Sequence, residues 1–324
     1  ITQRARRDPK RVVFGEADTH KILKAAQLAR DEGAVEPILL GNTQKINALI
    51  KEYSLDLEDA TIIDPKAQSN RKLREEYGQL FFEKRKRRGY TLYEADKQMR
   101  DRNYFGAMMV EKGDADAFIS GITRNYADVI RPALQIIGTR EEVKRVAGMY
   151  ILLTKRGPMF LADTTVNLNP TAEDLVEITL LTAQAIRKLR IVPRIALLSY
   201  SNFGSAKGPD AENVRKAVEI LHRDHPGLIV DGEIQANFAL NNDLLQEKFP
   251  FSELVNQETN TLIFPNLAAG NIAYKMLQEM LMCESIGPVL LGLKKSFHVL
   301  QLGSSVREIQ NMIKLAALDA ADNS

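Results

Sequence analysis

The chain has 324 residues, with 44 Lys and Arg against 42 Asp and Glu, a formal net charge of +2 and 44% hydrophobic residues. This is ordinary globular composition with enough length for two domains, and the charge is too small to argue for nucleic acid. No apolar run reaches the ~18 residues of a membrane span, and the one cysteine, Cys283, cannot form a disulfide within the chain, which suits a reducing cytoplasm.

Residues 1–7 are basic, with no initiator Met and no apolar signal segment, and read as the start of a piece cut from something longer, the alternative being a trimmed free-standing protein. Residues 11–14 then read as a strand and 20–32 as a helix. Residues 37–40 form the next strand, closed by Gly41-Asn42, and 43–52 the next helix. Residues 73–99 make a long charged helical segment interrupted at Gly89. Its run Lys84-Arg85-Lys86-Arg87-Arg88 has the pattern of a solvated face, the alternative being a phosphate-contacting or interdomain surface. The rhythm continues with strand 117–119 and helix 127–137, strand 159–162 and helix 172–189, strand 194–198 and helix 211–222, and strand 262–264 and helix 268–282. Strand and helix alternating on this scale predict an α/β protein with mainly parallel sheets. Asn169-Pro170-Thr171-Ala172-Glu173-Asp174 marks a helix start, with a capping residue, a proline near the first turn and acids at the positive end. A boundary falls near Val146, and a last helix at 306–320 folds back onto the first domain. The expected domains are therefore 1–145 plus 303–324, and 146–302.

Common signatures of chemistry are missing. No G-x-G-x-x-G follows a strand and there is no Walker loop. The four histidines, His20, His222, His225 and His298, are scattered, and His222 with His225 reads as a capping and surface pair. Cys283 reads as a buried, inert thiol. Three loops stand out, each after a predicted strand, where open α/β sheets place ligands. Ser120-Gly121-Ile122-Thr123-Arg124-Asn125 leads to Arg131 and combines hydroxyls with cations before a helix, which suits an anion. Ser199-Tyr200-Ser201-Asn202-Phe203-Gly204-Ser205-Ala206-Lys207-Gly208 suits a phosphate-bearing ligand. Asp231-Gly232-Glu233-Ile234-Gln235-Ala236-Asn237 could orient a polar headgroup. Each could equally be a turn with capping hydroxyls.

At these loops the sequence resembles the phosphate acetyl/butyryltransferase family. The resemblance rests on Arg11-Val12-Val13-Phe14-Gly15-Glu16, Ala127-Asp128-Val129-Ile130-Arg131-Pro132-Ala133-Leu134, Asn167-Leu168-Asn169-Pro170-Thr171-Ala172-Glu173-Asp174 and Leu198-Ser199-Tyr200-Ser201. Ile263-Phe264-Pro265-Asn266-Leu267-Ala268-Ala269-Gly270-Asn271 and the opening Ala5-Arg6-Arg7-Asp8-Pro9-Lys10 look most like the version fused to bacterial malic enzymes. The resemblance implies two α/β/α domains with an interdomain cleft, as in isocitrate/isopropylmalate dehydrogenases and phosphotransacetylases, self-association as a dimer or higher, and a coenzyme A ester as ligand. In active members the coenzyme A thiolate attacks acetyl phosphate, a carboxylate helps activate the thiol, and serine and arginine hold the acyl phosphate.

The family pattern Pro-Val-Asn-Asp-Leu-Ser-Arg-Gly is matched here by Ser296-Phe297-His298-Val299-Leu300-Gln301-Leu302-Gly303. Gln301 stands at the serine position, Leu302 at the arginine position, and Glu308 replaces the usual downstream aspartate. Leucine supplies neither charge nor hydrogen bond, and the loss of one preorganised donor costs on the order of 10²–10³ in rate. The expectation is a catalytically silent, cytoplasmic regulatory part of an NADP-dependent malic enzyme, with no catalytic residue of its own. It would bind acetyl-coenzyme A through Ser120, Thr123, Arg124, Arg131, Ser199, Ser201, Lys207, Asn237 and Gln301. NADP and a divalent metal would belong only to an N-terminal malic-enzyme part of the same chain, with no nucleic-acid or membrane partner. The alternatives are an active phosphate acyltransferase, with Gln301 donating to an oxyanion, and a structural oligomerisation module.

Overall fold

The computed structural model describes residue 6 and residues 8–322, with only the backbone of Asp322. Most of the basic opening, read above as a joint to something longer, lies outside the described residues. The chain divides into two compact units, Ile1–Arg140 with Leu293–Ser324, and Glu141–Gly292.

The first unit begins with β1 (Lys10–Phe14), α1 (His20–Asp31), β2 (Val35–Leu40), α2 (Thr43–Glu52) and β3 (Thr61–Ile63). It continues with α3 (Arg71–Arg85), α4 (Leu92–Gln98), α5 (Arg102–Lys112), β4 (Ala117–Ser120) and α6 (Tyr126–Pro132), which runs into a π-helical turn, Ala133–Ile137. The second unit holds β5 (Ala147–Thr154), β6 (Gly157–Ala162), α7 (Ala172–Lys188), β7 (Arg194–Leu198), α8 (Pro209–Asp224) and β8 (Ile229–Ile234). Two short helices follow, α9 (Ala236–Leu240) and α10 (Asn242–Lys248), then β9 (Thr261–Ile263), α11 (Leu267–Leu281) and β10 (Glu284–Leu291). β11 (Ser296–Val299) and α12 (Val306–Asp322) return to the first unit.

The first sheet is parallel throughout, in the order β11-β4-β1-β2-β3. Parallel neighbours cannot be joined by tight turns, so helices carry the crossovers and cover the sheet. That is why Val12, Val13 and Phe14 form an unbroken apolar run and are fully buried. Phe118 of β4 packs on Phe297 of β11 with ring centroids 4.7 Å apart. The closing helix α12 packs on α1 and on β1, β4 and β11. Residues 296–299, placed with the second domain on sequence, therefore belong to the first unit, because β11 pairs with β4 from Ser296 to Val299. The boundaries fall after Arg140 and after Gly292 instead of at 145 and 302.

The second sheet is mixed, in the order β10-β5-β6-β9-β7-β8. β6, β9, β7 and β8 run parallel, while β5 is antiparallel to both β6 and β10. The short β5–β6 connection makes a hairpin the natural geometry, and Thr154 Oγ1 closes it by donating to the Gly157 carbonyl at 2.7 Å.

Two helical segments differ from expectation. Residues 73–99 split, because Gly89 at φ +88° adopts a left-handed conformation after a 3-10 turn at Lys86–Arg88. A Thr91–Glu94 capping box then starts α4 afresh. Residues 127–137 change from α to π helix at Ala133, just after Pro132. Among the described residues no helix is long and apolar enough to cross a membrane.

Candidate functional site

In the first unit the loop after β4 is organised by Glu16, which lies just beyond β1 and is 3% exposed. Its Oε2 accepts the amides of Gly121 at 2.5 Å and Ile122 at 2.7 Å, and its Oε1 accepts the Thr123 amide at 3.0 Å and the Thr123 hydroxyl. These successive amides form the kind of concavity that binds anions, and the protein's own carboxylate fills it. Ser120 is fully buried and donates to Asn103 Oδ1 at 2.8 Å. Ser120 is therefore internal to the loop, and Thr123 is tied to Glu16. Arg124 Nη1 donates to Asp101 Oδ2 at 3.0 Å, and Asp101 also caps α5 through the Asn103 amide. Arg131 remains more than half exposed, with Asp128 3.6 Å away. Below this loop, Arg102 makes a bidentate pair with Asp18 at 2.6 and 3.0 Å. That hydrogen bonding outweighs burial and holds the Asp18 carboxyl below its ordinary range.

The second unit repeats the device. Glu233 of β8 has no exposed surface and reaches the loop after β7. Its Oε1 accepts the Ser201 hydroxyl at 2.9 Å, the Gly204 amide at 2.7 Å and Arg215 Nη2 at 3.0 Å, while its Oε2 accepts Arg215 Nε at 3.1 Å. Burial raises the Glu233 pKa, but Arg215, the Gly204 amide and Ser201 outweigh it and leave the carboxyl below its ordinary range. Ser201 is fully buried and also accepts the Ala206 amide at 3.0 Å, so it staples the loop. Ser199 is half-buried and accepts the Ser201 amide at 3.2 Å. Lys207 is exposed at the loop's end.

The third loop read from sequence is mostly strand, since β8 runs to Ile234. Its acids are spent internally: Asp231 accepts from the Ser252 hydroxyl at 2.7 Å and the Glu253 amide at 3.0 Å. Asn237 is exposed on α9. A further buried acid had no counterpart in the sequence reading. Asp163, after β6, accepts the amides of Gly148, Thr165 and Val166 through Oδ1 and that of Asn167 through Oδ2. These acids are recognisable in sequence only as carboxylates beside strand ends (Gly15-Glu16, Ala162-Asp163, Gly232-Glu233), where apolar residues would be expected.

After β11 the chain turns at Gln301, whose carbonyl accepts the Ser304 amide at 3.2 Å. Leu302 is 65% exposed. Glu308 is held in a capping box at the start of α12: its Oε2 accepts the Ser305 amide at 2.9 Å and hydroxyl at 3.0 Å. The structure thus groups Ser120, Thr123, Arg124, Arg131, Gln301, Leu302 and Glu308 in the first unit, and Ser199, Ser201, Lys207 and Asn237 in the second. Among the described residues no group of three or more His, Cys, Asp and Glu is arranged to hold a metal ion. His222 Nε2 lies 2.8 Å from the Val230 carbonyl, and burial pushes the Cys283 thiol up.

A parallel and a mixed sheet, each with a loop at a strand end tied by a buried acid, define the chain as an α/β protein. The chain belongs to the phosphate acetyl/butaryl transferase family, which matches residues 1–317. It is similar to a phosphate acetyltransferase of Clostridium acetobutylicum, 35% identical over 99% of this chain and 97% of that protein. Its fold matches the crystal structure of a phosphotransacetylase from Streptococcus pyogenes, with a TM-score of 0.89, 35% identity, and 99% and 98% of the two chains covered. An NADP-dependent malic enzyme of Escherichia coli is 36% identical, but the chain covers 42% of its length.

These findings correct the expectation of a silent malic-enzyme part. Nearly the same identity, 35% against 36%, is reached with an acetyltransferase matched nearly end to end, so likeness to the fused version does not single out a malic enzyme. Relatives of this kind point to a catalytic transferase. The oxidoreductase assignment, with its malate and NADP, falls with it, and these relatives give no support for an N-terminal malic-enzyme partner. The expectation rested on Gln301 and Leu302, together with the likeness of residues 263–271 and of the opening residues to the fused version.

Proposed function

We propose that the chain is a phosphate acyltransferase that interconverts acyl-coenzyme A and phosphate with acyl phosphate and coenzyme A. The support that carries this reading is the 35% identity to a phosphate acetyltransferase across 97% of that protein's length. In the direction of thioester synthesis, the thiolate sulfur bonds to the acyl carbon, the bond from that carbon to the bridging phosphate oxygen breaks, and phosphate leaves with the electron pair. The thiol proton goes to a carboxylate or to the departing phosphate. Charge accumulates on the acyl oxygen and on phosphate, so cations and amide donors fixed beforehand lower the barrier.

The side chains offered for this lie exposed or part exposed. Arg131 and Lys207 are exposed cations suited to phosphate groups, and the Gln301 amide can donate to an acyl oxygen. Ser199 and Asn237 supply further polar contacts, and Arg124, tied to Asp101, supplies positive field. Ser120, Thr123 and Ser201 shape the loops through Glu16 and Glu233. The wider kinship with isocitrate/isopropylmalate dehydrogenases belongs to the same proposal, supported by the return of β11 and α12 to the first unit. A cytoplasmic location is supported by the single, unpaired thiol of Cys283. The test is thioester formation from acetyl phosphate and coenzyme A, followed by absorbance with purified protein.

A further inference from the structure

We propose that a cavity at the start of β6, β7 and β9 binds a small organic carboxylate with an apolar body. The cavity measures about 500 Å³, within the roughly 300–1,000 Å³ of small-molecule sites. It lies wholly within the second unit. Its walls include Arg156 and Met159 around the start of β6, Arg194 at the start of β7, and Asn260 just before β9. Open α/β sheets carry their usual ligand site beyond the carboxyl ends of the strands, and in this unit Glu233 ties the loop at that end of β7. Arg194 and Ser199 flank β7 at opposite ends, ~17 Å apart at the rise of an extended strand. The cavity is therefore a second site, and the proposal goes beyond the transferase reading without depending on it.

The lining has the chemistry of an amphipathic anion's site. Met159, Ile191, Leu240, Leu245 and Leu254 supply the apolar surface, and Leu245 and Leu254 are each only 1% exposed. Two guanidinium groups border it. Arg194 donates Nε to the Glu258 carbonyl at 2.8 Å and reaches the Val192 carbonyl from Nη1 only at 3.5 Å, so Nη2 has no partner among the described residues. Arg156 donates its backbone amide to Thr154 Oγ1, while its guanidinium has no partner among the described residues. A guanidinium with unused N–H groups matches a carboxylate in shape and charge. Glu258 also lines the cavity, so two arginines against one glutamate leave a single positive charge. That balance favours a carboxylate over a phosphate monoester, which carries nearly two negative charges at neutral pH. The walls are set before any ligand arrives. Asn260 accepts the Arg194 amide through Oδ1 and donates through Nδ2 to the Val192 carbonyl, both at 2.9 Å, and Asn242 Oδ1 accepts the Asn256 amide at 2.6 Å. Walls fixed in this way reduce the ordering cost of binding.

Calorimetric titration of the purified chain with hexanoate tests the proposal. Hexanoate is expected to bind with a dissociation constant of about 1 mM or tighter, and hexyl phosphate and hexylammonium at least ~10-fold more weakly. Arg156→Glu is expected to raise the hexanoate constant at least ~10-fold, the worth of one hydrogen bond to a charged group. Leu240→Trp, which fills the cavity from its rim, is expected to abolish binding. Both positions are exposed, and circular dichroism should show a native fold. The absence of saturable heat up to about 20 mM hexanoate overturns the proposal. Hexylammonium binding as tightly as hexanoate overturns it too, as does hexanoate binding that neither variant weakens, which would place the ligand elsewhere. Hexyl phosphate binding more tightly than hexanoate rejects the carboxylate.

Discussion

Arg215 grips Glu233 with two parallel hydrogen bonds, Nη2 to Oε1 at 3.0 Å and Nε to Oε2 at 3.1 Å. The arginine is part exposed while the glutamate is wholly enclosed. The pair therefore brings a charge-stabilising partner from the surface to a carboxylate that also holds Ser201 and the Gly204 amide. Its function is to set the shape of the loop after β7, whose exposed end carries Lys207.

This pair makes stability sensitive to acid. The folded-state pKa of Glu233 is depressed, so its contribution is fully present above the unfolded value of about 4.3 and is lost as pH falls through the folded value. Asp18 and Asp116 are depressed too, the first by Arg102 against burial, the second with burial opposing but Arg11 prevailing. Urea denaturation should show stability declining below about pH 4, and Glu233→Gln should flatten part of that decline. A Glu233→Gln variant with the wild-type pH profile would contradict the assignment.

Glu16 satisfies the amides of Gly121, Ile122 and Thr123 from 105 to 107 residues away. Glu16→Ala leaves these donors without their acceptor and is expected to cost about 3 kcal/mol, while Glu16→Gln, which keeps one oxygen, should cost about 1 kcal/mol. Equilibrium denaturation at neutral pH checks the order, and equal losses would show that the loop does not depend on the carboxylate.

Much of the fold was legible because buried parallel strands are apolar runs between amphipathic helices. Residues 11–14 and 194–198 announced β1 and β7 in this way. β10 was not legible, since Gly287 and Pro288 interrupt it and its pairing with β5 shifts between Ile286 and Val289. β3 is only three residues long. At the site, the loops after β4 and β7 were found from their glycines, hydroxyls and cations. Their internal wiring was not, because no local pattern says that Glu16 reaches Gly121 or that Glu233 reaches Ser201. A hydroxyl beside a glycine looks the same whether it faces a ligand or a buried carboxylate. The family comparison misled at Gln301 and Leu302 for a different reason: loss of two donors was equated with loss of the reaction.

The two faces of α11 should respond unequally to small changes, since Gly270 is buried and Met276 is 55% exposed. Gly270→Ala forces a methyl against the Asp163 carbonyl oxygen and is expected to cost about 2 kcal/mol by overpacking. Met276→Ala on the outward face should leave the stability of the isolated chain within about 0.5 kcal/mol. Denaturation at low protein concentration makes the comparison, and a large loss at Met276 alone would place it in the protomer's own core.

Leu302 offers a gain-of-function test. It is 65% exposed, so an arginine fits there without burying an unpaired charge. Leu302→Arg is expected to raise kcat by about 10-fold or more through an added cationic donor to the departing phosphate. A kcat that falls or stays level would mean that residue 302 does not face the reacting groups.

Acyl transfer is tested by the rate of acetyl-coenzyme A formation from acetyl phosphate and coenzyme A. The wild type is expected to turn over saturably. Arg131→Ala and Lys207→Ala are each expected to lose about 10- to 100-fold in kcat/KM, the worth of one hydrogen bond to a charged group, with circular dichroism unchanged. Thioester formation no faster than the uncatalysed reaction, from a protein with a native spectrum, would contradict acyl transfer.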